Sequence, residues 1–145
     1  MTQVRQALNE ILIETYTLEF DAFGQALLSE LEYACQRGLR VRCLIDGAGS
    51  QHLIDDHPAL FSKLQTEIRI RQGRTIHQSC IIFDRQLGVT GDHPLCEISL
   101  TDEENGKLSS RIITAEPAAK IAANIEAAWN VAMTHAEYLV KRANR

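Results

Sequence analysis

Several things this sequence does not contain narrow its reading before any motif does. No apolar run approaches the 18 or so residues that a membrane-spanning helix needs. Met1–Glu10 also lacks the apolar core of a signal peptide. A cytoplasmic location is therefore expected, with peripheral contact at a membrane left open. Cys35, Cys43, Cys80 and Cys96 form no Cys-x-x-Cys pair, and three of them sit in apolar patterns, which excludes a disulfide framework and favours buried, reduced thiols. There is no excess of positive charge. At a net −4 the chain has no overall attraction for phosphate backbones or anionic lipid, which argues against nonspecific nucleic-acid binding as its main task. Low-complexity tracts and internal repeats are absent as well. At 45% hydrophobic and 23% charged, the composition excludes disordered and fibrous classes. A chain of 145 residues reads as one domain, residues 1–145, able to bury roughly 68–70% of its unfolded surface.

What is present alternates between strand and helix signals. Thr2 can cap a short helix over Gln3–Leu8, too short to persist without packing. Glu10–Leu18 carries Ile11, Leu12 and Ile13 beside Thr15, Tyr16 and Thr17, the pattern of a strand in the centre of a sheet. Asp21 is placed to cap a helix running to Arg37, with Phe23, Leu27, Leu28, Leu31, Ala34 and Cys35 on one stripe and Gly38 as its left-handed stop. Arg40–Ile45 returns as a strand. Strand, helix and strand within about 35 residues indicate a right-handed crossover between parallel neighbours, so the fold class is α/β.

Asp46-Gly47-Ala48-Gly49-Ser50 follows at the carboxyl end of that strand, where open α/β sheets place ligands, but it is no Gly-x-Gly-x-x-Gly fingerprint and reads as a plain turn. His52, Asp55, Asp56 and His57 are metal-ligand types without a His-x-x-x-His pair, and capping and solvated-loop roles account for them. Pro58 opens a short helix faced by Leu60, Phe61 and Leu64. Ile68 and Ile70 then alternate with Arg69 and Arg71 in a strand, and Arg74 adds a third basic residue. These arginines read equally well as a solvated edge and as a local phosphate contact. Leu87–Thr90 is a short strand. Cys96–Leu100 and Leu108–Thr114 flank the polar turn Asp102–Lys107 as a hairpin. Pro117 begins a last helix with Ile121, Ile125, Ala128, Trp129, Ala132 and Met133 at helical spacing, in which Trp129 anchors the core.

The remaining stretch, Ile76–Asp92, organises the functional reading. Cys80–Phe83 is an apolar run suited to a strand covered on both faces, and His77 and Ser79 fall on one side of it, roughly 7 Å apart, at its mouth. His77 and Asp84 stand at the spacing of the His-x-Lys-x-x-x-x-Asp signature of the phospholipase D superfamily, which this stretch resembles. Ser79 occupies the lysine position, Asp92 the position of the second small residue that follows, and Pro94 that of the asparagine. A longer likeness runs through Ile13-Glu14-Thr15-Tyr16, Asp21-x-x-Gly24 and Arg37–Ser50, which together look like the opening of a bacterial cardiolipin synthase half. With the Pro-Ala-Ala start and the Trp of the last helix, the resemblance covers roughly Ile11 to Trp129.

The resemblance implies a mixed, partly parallel β-sheet flanked by helices, and phosphatidyl-transfer or phosphodiester chemistry through a histidine. It requires no metal and no cofactor. Two halves would face each other, one histidine attacking phosphorus and the other protonating the leaving oxygen, which calls for a homodimer or a pairing with a related half. The candidate catalytic residues are His77, Asp84 and Ser79, and the candidate contacts to a phospholipid or other phosphodiester are Arg71, Arg74 and Asp92. Asp84 is too far along an extended strand to orient His77, about 20 Å away, so its own reading is that it holds the turn. A carboxylate from the later hairpin, Glu97, Glu103 or Glu104, would be the family's orienting group. Loss of the lysine points to a weakened or inactive site, since one comparable charge-stabilising donor is worth on the order of 10²–10³ in rate. An active phosphodiesterase or nuclease with substitute arginines, and a non-catalytic pairing or binding module, are the alternatives.

Overall fold

A computed structural model describes residues 2–63, 67–72, 79–91 and 111–144. Six strands form one sheet in the order β3-β2-β1-β4-β5-β6, where β1 is Glu10–Thr15, β2 Arg40–Asp46, β3 Ile68–Arg71, β4 Ser79–Phe83, β5 Leu87–Gly91 and β6 Arg111–Thr114. β3, β2 and β1 run parallel, while β4, β5 and β6 continue the sheet antiparallel. The fold is thus the mixed, partly parallel α/β sheet expected. The first strand ends at Thr15, three residues earlier than expected. Cys96–Leu100 and the turn Asp102–Lys107 lie outside the described residues.

Side-chain alternation divides the sheet into two faces. Ile11, Ile13, Cys43, Ile45, Ile68, Ile70 and Phe83 pack on one side against α2, Ala22–Gln36, through Leu27, Leu28, Leu31 and Ala34. Leu12 and Ile82 pack on the other side against α5, Ala115–Val131, through Ala118, Ala122 and Ile125. Asp21 caps α2 by accepting the Gly24 amide at 2.8 Å. Gly38, at φ +90°, ends that helix in the left-handed region that a side chain would disfavour. The short helix α1, Thr2–Gln6, is held as a marginal helix must be: Val4 and Ala7 are buried, and the Arg37 guanidinium donates to the Val4, Arg5 and Ala7 carbonyls.

Two short helices follow β2, α3 over Gln51–Asp56 and α4 over Pro58–Lys63. His52, Asp55 and Asp56, read as loop and cap residues, are helical, and Asp55 pairs with Arg142 at 2.7 Å. The helix expected to be last is followed by another, α6, His135–Ala143, opened by a capping box between Thr134 and Glu137. Tyr138 of α6 lies against Gly47, where an added Cβ would come within 2.6 Å of the ring. Trp129 is buried between the guanidinium groups of Arg42 and Arg69, 5.6 and 4.7 Å from its ring centre. No helix among the described residues is long and apolar enough to cross a membrane.

The β4–β5 connection is a tight turn with both central residues left-handed, Asp84 at φ 54° and Arg85 at φ 58°, closed by the Gln86 amide on the Phe83 carbonyl. Two non-glycine residues in this region carry strain, and their side chains compensate for it. The Asp84 carboxylate accepts the amides of Leu8, Asn9 and Glu10 at 2.9, 2.7 and 2.9 Å, fastening the hairpin to the start of β1. Arg85 pairs with Glu10 at 2.8 Å and with Glu126 of α5 at 2.5 Å. Arg40 bridges the same two carboxylates, and Arg42 adds a contact to Glu126 at 3.2 Å.

Two outcomes follow for stability. Asp84→Ala is expected to cost about 2 kcal/mol in urea unfolding, since it removes a charged acceptor from three amides. Hydrogen bonding from Arg85 is the chief cause that holds the Glu126 carboxyl down at about 2, against an ordinary 4.5. For Asp84, burial pushes upward, but the three amides outweigh it and the net shift is downward. Groups with depressed folded pKa values stabilise fully above their unfolded values and lose that contribution as they protonate. Denaturant midpoints should therefore fall between pH 4.5 and about 2, and Glu126→Gln should flatten that fall.

Candidate functional site

The carboxyl ends of β1, β2 and β3 and the amino end of β4 meet at one edge of the sheet, because β4 enters antiparallel to β1. Ser79, the first residue of β4, is buried there. Its hydroxyl lies 2.8 Å from the Thr15 hydroxyl, which itself donates to the Thr17 carbonyl at 2.9 Å. Either hydroxyl can be the donor of that pair. A neutral hydroxyl bonded to a residue of β1 stands where the resembled signature has an ammonium.

Asp84 is at the opposite end of β4, about 17 Å from Ser79 by strand rise. Its carboxylate engages the three amides that open β1. Arg71 ends β3 and is nine-tenths buried, and its Nη1 pairs with Glu14 Oε2 at 3.1 Å. Register pairing places Glu14 beside Cys80, so Glu14 and Arg71 share the α5 face of the sheet, while Thr15 and Ser79 point to the α2 face. Alternation thus turns the side chains of two candidate residues, Ser79 and Arg71, to opposite faces, although both residues line one cleft. His77, Arg74 and Asp92 lie outside the described residues, as do Pro94, Glu97, Glu103 and Glu104.

The Asp46–Ser50 turn satisfies its own polar groups almost completely. Asp46 Oδ1 accepts the Ala48 and Gly49 amides, while the Ser50 hydroxyl donates to the Tyr16 carbonyl and accepts the Leu18 amide. This is the local hydrogen bonding of a plain turn.

A cleft of about 840 Å³ opens between this sheet edge and α5. Its polar lining includes Glu14, Arg71, Ser79, Asn124 and Lys141, and Ile70, Ile121, Ile125 and Met133 contribute apolar wall. Sequence reasoning assigned no role to Glu14, Asn124 or Lys141. Glu14 carried a signal, as a carboxylate directly after the apolar run Ile11–Ile13 of a central strand. Lys141 belongs to the helix that periodicity did not reveal.

Comparison with protein-family models finds no match. Among curated proteins, cardiolipin synthase 1 of Staphylococcus aureus strain MRSA252 is 29% identical over 102 residues, which is 63% of this chain and 21% of that protein. Cardiolipin synthase 1 of Staphylococcus epidermidis strain ATCC 12228 matches at the same identity and coverage. The chain spans about a fifth of the length of the curated relatives it matches. Among solved structures, Nuc of Salmonella typhimurium, a phospholipase D family member, superposes with a TM-score of 0.66 at 19% identity, covering 92% of this chain and 86% of that one. TrmBL2, an archaeal chromatin protein, superposes with a TM-score of 0.60 at 15% identity, over 92% of this chain and 48% of that one.

Cys80 also lines the cleft, and burial, the main cause, pushes its thiol up to about 12. Burial does the same to Cys43. The thiolate is the reactive form, so both should resist alkylation. Iodoacetamide at pH 8, read by mass spectrometry of the two cysteine-containing peptides, should modify them at least tenfold more slowly in the folded chain than in urea.

Proposed function

Starting from a chain with the phospholipase D-like fold that resembles a cardiolipin synthase half over 102 residues, we propose that it is a phosphodiester-handling half-site of low or no catalytic power. In this reading His77, two residues before Ser79 in sequence, attacks phosphorus and displaces the ester oxygen, which takes a proton from the histidine of a second half. Water or an alcohol then cleaves the phosphorus–nitrogen bond. Two copies about a two-fold axis, or this chain and a related half, would complete the site. Arg74 and Asp92 flank His77 in sequence and serve as the contacts to the diester. Asp84 supports the same strand from its far end.

The observation that carries the reading is the state of Ser79. The resembled chemistry needs a cation where charge concentrates in the transition state, and that position holds a neutral hydroxyl bonded to Thr15. Arg71 is engaged through Nη1 with Glu14 and its side chain alternates to the other face of the sheet from the Ser79 hydroxyl, which weighs against its standing in for the lysine.

A second reading is a pairing or binding module that keeps the fold without the chemistry. It draws support from TrmBL2, a chromatin protein whose mode of DNA binding has been described, which shares the fold with this chain.

Hydrolysis of bis(p-nitrophenyl) phosphate decides between them. Wild type is expected near background. Ser79→Lys should gain on the order of 10²-fold, and adding His77→Ala should abolish the gain. Robust His77-dependent turnover by wild type would overturn the inactive assignment, and no gain from Ser79→Lys would favour the module. Sedimentation velocity on the same samples should show a species of twice 16.2 kDa if two copies pair.

A further inference from the structure

Arg71 has more hydrogen-bonding capacity than the fold uses. Its Nη1 is held by Glu14 at 3.1 Å, while Nε and Nη2 are buried and have no hydrogen-bond partner. These two nitrogens form one edge of the guanidinium, the parallel fork that meets two oxygens of a carboxylate or phosphate at once. The same edge is occupied in Arg85, whose Nε and Nη2 reach the two oxygens of Glu10 at 2.8 and 3.3 Å. Asp46 stands opposite Arg71 in the β2–β3 register, but it forms no ion pair with it. Leaving charged donors buried and unsatisfied is costly, and a structure that tolerates the cost invites a ligand that removes it.

The surroundings define the ligand. Arg71 lines the cleft beside α5 together with Lys141 and the Asn124 amide, so two cations face one carboxylate, Glu14, which is already paired. The opposite wall is apolar, built from Ile121, Ile125 and Met133. We propose that this cleft is a binding site for an oxyanion borne on an apolar group, with the Arg71 fork gripping two oxygens, Lys141 adding charge, and α5 covering the apolar portion. Glu14 acts as the positioning residue that fixes the guanidinium and moderates its charge. Ser79 lines the same cleft, so the site adjoins the proposed half-site and the inference rests on that reading of the sheet edge, but anion binding needs neither His77 nor turnover.

Isothermal titration calorimetry of the whole chain with phenyl phosphate, benzoate and inorganic phosphate tests this. Phenyl phosphate or benzoate should bind measurably below 10 mM and more tightly than inorganic phosphate, and the ranking of the two aromatic probes reports whether the anion is a phosphate or a carboxylate. Arg71→Ala should weaken binding at least tenfold. Arg71→Lys, which keeps the charge and loses the fork, should weaken it several-fold. Glu14→Gln should strengthen it. Circular dichroism monitors folding of each variant, and if Arg71→Ala unfolds, the other two variants decide. Absence of binding up to 10 mM, or binding indifferent to both Arg71→Lys and Glu14→Gln, would overturn the proposal. A chain that binds these anions yet hydrolyses nothing after Ser79→Lys would count only against the phosphodiester reading. Hydrolysis without Arg71-dependent binding would count only against this one.

Discussion

The fold depends on a carboxylate that closes a strained turn. Asp84 sits in left-handed backbone, and its two oxygens gather three amides at the entry to β1, seventy-odd residues away in sequence. Without that acceptor, the β4–β5 hairpin would still have its ladder to β1 and the Arg85 ion pairs, but its turn would lose the three amides that tie it to the end of α1 and the start of β1. Arg85, the other left-handed residue of this turn, extends the fastening to Glu10 and to Glu126 on α5. One two-residue turn therefore joins the parallel half of the sheet, the antiparallel half and the helix covering its far face. The charges are only partly exposed and linked in a network, the circumstance in which ion pairs contribute more than isolated surface pairs do.

That fastening also distinguishes the two ends of β4. The end bearing Asp84 is occupied with architecture, and the end bearing Ser79 opens on the carboxyl edge of β1 to β3, where α/β sheets present their ligand-binding residues. At this edge, strand alternation assigns successive residues to different surroundings. Thr15 and Ser79 turn toward α2 and hydrogen-bond each other, while Glu14 and Arg71 turn toward α5 and form an ion pair in a cleft. Two neighbouring polar groupings thus arise from a one-residue offset, one a pair of neutral hydroxyls, the other an ion pair with unused donors.

Where the local pattern was strong, the sequence anticipated the fold closely. The stripe from Leu27 to Ala34, the Asp21 cap and Gly38 located α2, and the β-branched and aliphatic run of Ile11–Ile13 located the central strand. Boundaries moved where tertiary context took over. β1 stops at Thr15, whose hydroxyl bonds to the Thr17 carbonyl and meets the Ser79 hydroxyl. α6 escaped notice because its signal is a capping box on Thr134 and Glu137 rather than a long apolar stripe. The role of Asp84 as a turn anchor could be suspected from its distance to His77, but its partners at Leu8–Glu10 could not, since nothing local links the two segments.

The amino-acid order alone determined the class of the fold, its parallel core and its likeness to a phospholipase D half, because periodicity, caps and motif spacing act over a few residues and need no partner. Tertiary structure decided which polar groups are satisfied and which are not. Whether Ser79 could serve in place of a lysine, and whether Arg71 was a solvated edge charge or a buried one, depended on the strand beside each and the helix above it. Burial and pairing are set by neighbours that the chain brings together only on folding, and it is there that the guanidinium of Arg71 acquires one partner and keeps two donors open.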